Sequence, residues 1–434
     1  MRRAVVTFPP TPTGRPLQFS LTEPLDSVFP EVSEFPMDGN QYILDDGPHS
    51  LHAIVQEVGS QLASALVRNT RVRLQLELTK QGDQKSYYFE INADDDALDK
   101  RPWESLCYEN NFLALSRQSP IGRMCGLRDQ KKEPERYITL KPLRVLAILG
   151  VPATAKAELA TLREIFSSDT LQDPNLPIEL CILTSDEETL TNIQLNPSPN
   201  ISAERIDDKW SVTTCIKRFR PKLIHINADV MEGQSPSIRL LRMDEKNQTQ
   251  EVLLEVSEIM NFGDIFQIVL LLTLNCTGET GEMKPSNNLA RWLVRNGFPA
   301  AVGMRGCAEP TIVRTFYSGF YEDTLQMIAD IPAGGEGQEI DWADLLVMGR
   351  NKIRHAPSES CMHWTLPVIY CRPSSVRMTR FQASDTDSNL KIAAQVREIA
   401  RICEDISASD MPGKSRLLDL AATQIDELSR QFEP

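Results

Sequence analysis

Leu143-Arg144-Val145-Leu146-Ala147-Ile148-Leu149 is an almost unbroken apolar run, and Ala155–Phe166 beyond Pro152 carries apolar residues at helical spacing. A short continuous run of this kind marks a strand buried on both faces, because a half-solvated strand alternates apolar with polar residues. The same pairing recurs outward along the chain. Apolar runs fall at Ile178–Leu183, Leu223–Ile226, Ile265–Leu274, Ala300–Val302 and Leu366–Tyr370, with helical periodicity at Pro285–Asn296, Thr311–Met327 and Trp342–Ile353. Strands alternating with helices predict an α/β fold: a three-layer sandwich around a mainly parallel central sheet. In such sheets reacting groups sit beyond the carboxyl ends of strands, near the point where strand order reverses. The residues just past Ile226 and Leu274 are therefore the candidates, and they include Asp229 and Cys276.

Residues 1–100 read as an N-terminal α+β extension. Ala4–Phe8 and Leu17–Leu21 are predicted strands, Leu51–Val67 a helix, and Arg71–Leu78 with Tyr87–Asn92 a hairpin turning at Gly82-Asp83. A second hairpin, Ile238–Met243 with Glu251–Val256, is expected around the polar turn Asp244–Thr249. The region 374–434 predicts a C-terminal helical hairpin, Leu390–Ile406 and Lys414–Phe432, broken at Met411-Pro412-Gly413. The acidic run Asp94-Asp95-Asp96 reads as a solvated loop, with contact to a basic substrate as the alternative.

With 46 basic against 60 acidic residues the net charge is −14, which argues against binding a phosphate backbone and suits a basic polypeptide. The nine cysteines are scattered, odd in number, and free of CxxC or zinc-type Cys/His spacing. They read as free thiols of a reducing cytoplasm, with no metal site and no cofactor expected. The apolar stretch after Met1-Arg2-Arg3 stops at Pro9-Pro10, too soon for a secretory signal, and Ile265–Leu274 is too short to span a bilayer.

Arg101-Pro102-Trp103-Glu104-Ser105-Leu106, Phe112-Leu113-Ala114-Leu115 and Ser119-Pro120-Ile121-Gly122-Arg123 together resemble the opening motif of the CHAT family of caspase-like cysteine peptidases. Leu143–Leu149 matches its first sheet strand, and Leu289–Arg305 resembles the helix and strand that follow its nucleophile. Phe316–Tyr321 and His363-Trp364-Thr365-Leu366-Pro367-Val368-Ile369-Tyr370 resemble its closing helix and last strand. The matches keep the family's order and cover roughly residues 101–373, the expected CHAT domain.

The resemblance implies a histidine ending one central strand and a cysteine ending the next. The usual His-Phe-x-x-His-Gly is matched by His225-Ile226-Asn227-Ala228-Asp229-Val230, so Asp229 stands where the catalytic histidine belongs. Thr273-Leu274-Asn275-Cys276-Thr277-Gly278 keeps the cysteine. An imidazole lowers the pKa of a neighbouring thiol and returns a proton to the leaving amine. A carboxylate at that place raises the thiol pKa by like charge. His225, four residues earlier on the same strand and ~13 Å away at ~3.3 Å per residue, reads as a hydrogen-bonded core residue. His355 and His363 are expected at the opposite sheet edge, and His49 and His52 in the N-terminal region. Asn275, Thr277, Gly278 and Gly281 either offer donors to an oxyanion or substrate, or only make a turn.

Two functions follow as expectations, with a third behind them. The first is a pseudopeptidase that binds a polypeptide or regulates a relative, in the setting of bacterial defence that the resemblance implies. The alternative is an active cysteine endopeptidase with Cys276 as nucleophile and a non-standard base. A small-molecule sensor on the same fold ranks below both.

Overall fold

The computed structural model describes residues 3–9, 17–23, 31–35, 52–91, 96–126, 136–139, 142–166, 176–231, 236–243, 249–255, 269–278, 284–332, 337–356 and 363–380. The predicted C-terminal helices, the turn after Met243, Asp94 and Asp95, His49, Gly281, Cys361 and Cys403 lie outside the described residues. The chain divides into two compact units, residues 1–332 with 336–379, and residues 333–335 with 380–434.

Fourteen strands of the first unit join one sheet. Residues 1–100 supply β1 (Arg3–Thr7), β2 (Leu17–Glu23), β3 (Val32–Phe35) and β4 (Ser86–Glu90), and β5 (Ile121–Met124) follows. Next come β6 (Leu143–Leu149), β7 (Ile178–Thr184), β8 (Ile201–Arg205) and β9 (Leu223–Met231). The set closes with β10 (Ser237–Met243), β11 (Thr249–Glu255), β12 (Leu271–Cys276), β13 (Ala300–Met304) and β14 (Pro367–Cys371). The order is β8-β7-β6-β9-β12-β13-β14-β5-β4-β1-β2-β3, with the β10–β11 hairpin paired to the far end of β9. From β8 to β13 every neighbour is parallel, whereas β14 runs antiparallel to β13. Strand order reverses between β6 and β9.

Helices cover both faces, as continuous apolar strands require. They are α1 (His52–Leu66), α2 (Thr70–Lys80), α3 (Pro152–Phe166), α4 (Glu187–Leu195), α5 (Lys209–Phe219), α6 (Asn287–Arg295), α7 (Pro310–Asp330) and α8 (Leu345–Arg354). Val145, Ala147 and Leu149 of β6 share one apolar cluster with Leu159 of α3 and Phe320 of α7. Leu146 and Ile148, pointing the other way, join Cys215 of α5 and Leu293 of α6. This period-two split of a single strand defines the three layers. Gly297 closes α6 at φ +119°, a left-handed cap that glycine adopts without a Cβ clash.

One predicted hairpin is overturned. Thr70–Lys80 is helical, with Asn69 accepting from the backbone N–H groups of Arg71 and Val72, and it buries Val72, Gln75, Leu76 and Thr79. Ser86–Glu90 is a strand as expected, but it pairs in parallel with β1 and β5.

The motif at residues 101–123 is a buried framework. Trp103 stacks on Phe89 at 4.5 Å, and Glu104 takes both arms of Arg123, at 3.0 and 2.7 Å. Arg123 also reaches Asp99 at 2.9 Å, and the Tyr370 hydroxyl donates to Asp99. Four polar side chains thereby tie the opening segment to β5 and β14. Among the described residues no helix is long and apolar enough to cross a membrane.

Candidate functional site

β9 and β12 are neighbours in parallel register, with His225 beside Thr273, Asn227 beside Asn275 and Ala228 beside Cys276. Asp229 is thus one residue past the position level with Cys276. β9 runs on to Met231 because Asp229, Val230 and Met231 pair with β10.

Cys276 is the last residue of β12 and only 2% exposed. It sits in the apolar layer with Ile226, Ala228, Leu274 and Leu289. Burial pushes its thiol up to about 12; Ser286 and Lys284 oppose that rise, and the Asp229 charge adds to it. Ser286 is held by donating to Leu274 O at 3.1 Å and accepting from the Met304 N–H at 2.7 Å. Sequence reading missed it; the only available signal was its place just ahead of a helix in the stretch after the cysteine.

Asp229 is 1% exposed and fully engaged. It accepts from Lys284 Nζ at 2.7 Å, from Arg239 Nε at 3.0 Å with a second bond from Arg239 Nη2, and from the Val230 N–H at 2.9 Å. Burial alone would raise its pKa, but the two cations hold it below the ordinary carboxylate value. It is an anion bound between cations, and chemically no substitute for an imidazole.

The face of β9 and β12 opposite Cys276 carries a polar layer. His225 Nε2 lies 2.8 Å from a carboxylate oxygen of Glu158 on α3. His225 Nδ1 lies 3.0 Å from both the Thr273 and the Tyr321 hydroxyls. Asn275 donates to the same Glu158 oxygen at 3.3 Å, and Asn227 lies 3.1 Å from the Thr154 hydroxyl, which donates to it. His225 is accordingly a satisfied core histidine. Asn275 lies inside the strand and not on a loop, while Thr277 is tied by its N–H to Ala228 O and Gly278 follows it, buried.

His363 differs from expectation. Because β14 is antiparallel, its first residue Pro367 pairs with Met304 at the carboxyl end of β13. His363 therefore leads into the same edge that carries Cys276, not the opposite one. It is half-buried, and burial lowers its pKa. His355 is exposed just after α8, and His52 opens α1. Among the described residues no histidine hydrogen-bonds to Cys276.

The crevice at the order reversal is closed by the hairpin. Gly150, past the end of β6, donates to Asn227 O at 2.7 Å and accepts from the Leu241 N–H at 2.7 Å. Leu240 and Ile238 are buried with Val212 and Ile216 of α5 and line a small apolar cavity with them. No protein-family model matches the chain, and no curated protein matches it.

Proposed function

We propose that the chain is a catalytically silent protein of the CHAT type, a caspase-like scaffold that binds a polypeptide instead of cleaving one. The observation that carries this reading is the joint state of Cys276 and Asp229: a sealed thiol with a raised pKa beside a carboxylate neutralised by Arg239 and Lys284. A nucleophilic cysteine needs the opposite surroundings, partly open and electropositive with a base in reach. Cys276 is screened by apolar side chains, and the hairpin occupies the crevice where a small ligand would sit, which also weakens the sensor reading.

The excess of acidic residues suits a basic polypeptide as the partner. The resemblance places such proteins in bacterial defence, and buried free thiols suit a reducing cytoplasm. A second reading, the active endopeptidase, draws support from His363, which lies along the same carboxyl edge as Cys276.

An acyloxymethyl-ketone probe separates the two. Wild type and Cys276→Ala are expected to give equal background labelling. A covalent adduct on Cys276 that disappears in His363→Ala would favour the endopeptidase.

A further inference from the structure

A second group of reactive side chains lies away from Cys276. Cys181 comes from the middle of β7, Glu204 from β8 beside it, and Cys215 from α5 above them. Helix α5 buries Val212, Cys215 and Ile216 at spacings of three and four, so Cys215 faces the sheet. Asp208 and Ser211 cap its start reciprocally, which fixes its register over β7.

The two sulfurs lie 3.9 Å apart, Cys181 Sγ lies 4.0 Å from Glu204 Oε1, and all three donor atoms fall within 4.8 Å of one another. In a tetrahedral zinc site with Zn–S of about 2.3 Å and Zn–O of about 2.0 Å, the S···S edge is about 3.8 Å and the S···O edge about 3.5 Å. The S···S edge already matches and the Cys181–Glu204 edge lies about 0.5 Å too long, while the third edge is at most 4.8 Å, so side-chain rotation must draw Glu204 in to close the site on an ion.

We infer that Cys181, Cys215 and Glu204 form a three-ligand site for a thiophilic divalent cation of the zinc type, with water in the fourth position. Two sulfurs and one carboxylate favour such an ion over magnesium or calcium, which take oxygen ligands. Charge agrees as well. Two thiolates and a carboxylate exceed a divalent ion by one negative charge, and the Arg218 guanidinium already bonded to Glu204 supplies the balance.

Access is provided by the fold. Both thiols are buried, but β8 is the outermost strand on this side of the sheet, and the Glu204 side chain is 34% exposed. An ion can enter past Glu204 without opening the core. The site is independent of Cys276 and Asp229.

The test uses the full chain, reduced and stripped of metal, titrated with zinc against a chromophoric chelator and with cadmium for the ultraviolet thiolate band. One equivalent is expected, weakened at least tenfold in Glu204→Gln and lost in Cys181→Ala/Cys215→Ala of unchanged far-ultraviolet dichroism. Zinc-edge X-ray absorption on the wild-type chain covers the case in which that double variant does not fold; two sulfurs in the first shell are expected. Absence of micromolar binding, a shell of nitrogen and oxygen only, or undiminished binding by the folded double variant overturns the site.

Discussion

Lys284 joins the two ends of the expected dyad, donating its ammonium to Asp229 at 2.7 Å and its backbone N–H to Cys276 O at 2.8 Å. Arg239, arriving on β10, holds the other carboxylate oxygen. Asp229 thus anchors the β10–β11 hairpin and the segment after β12.

Asp229→Asn removes the charge and keeps the shape. It leaves Lys284 and Arg239 facing a neutral amide, and a loss of ~1–3 kcal/mol is expected for stripping a charged partner from buried hydrogen bonds. Urea unfolding measures it. Asp229→His is expected to lose stability in the same way and to gain no peptidase activity, because the Cys276 thiol stays sealed in the apolar layer.

Much of this was legible beforehand. The apolar runs from Leu143 to Tyr370 mark the central strands because such strands are buried on both faces, and the two polar positions Asp229 and Cys276 follow from strand ends. Thr70–Lys80 reads as a strand because Val72, Leu74, Leu76 and Leu78 alternate with polar residues, whereas Asn69, a strong helix cap, carries the helical signal. β9 runs past Ile226 because Asn227 faces a polar layer and Asp229 is paired by Arg239. Neither partner is visible from local sequence. Cys181, Glu204 and Cys215 come together only through strand order, so their spacing carries no zinc signature.

Glu104 and Arg123 form a buried ion pair, and removing the Glu104 charge leaves Asp99 as the counter-ion of Arg123. Glu104→Gln is expected to cost ~1–3 kcal/mol, and the joint change Glu104→Leu with Arg123→Met more, because it also takes Arg123 away from the buried Asp99. Burial alone would raise the Glu104 pKa, but Arg123 holds it below the ordinary value. A carboxyl depressed in the folded state adds stability above its unfolded pKa and loses it as pH falls through the folded value. Unfolding midpoints should therefore drop in acid for the wild type, and less steeply for Glu104→Gln.

His225→Leu removes the imidazole partner of Glu158 and leaves, among the described residues, the Asn275 amide bonded to that carboxylate. A loss of ~1–3 kcal/mol or more is expected, the cost of a buried charged group short of a partner. Thermal unfolding checks it. A fall in any basal activity with unchanged stability would instead mark His225 as chemical.

Gly59 on α1 packs against the opening motif so closely that an added Cβ would lie 1.8 Å from Ser105 O. Gly59→Ala must displace backbone, and overpacking of this kind costs ~1–3 kcal/mol. Guanidinium unfolding should place it well below Gly82→Ala, where a Cβ meets no neighbour and only the positive φ is strained.

The central claim is tested most directly by site-resolved alkylation of the folded chain with iodoacetamide at pH 7.5. Cys307 is exposed and serves as the internal standard, while a thiol pushed up to about 12 is ionised at only roughly 10⁻⁴ to 10⁻⁵ at that pH. The expected result is complete modification of Cys307 with Cys276 untouched until the chain unfolds. Modification of Cys276 as fast as Cys307 would contradict a sealed and silent site.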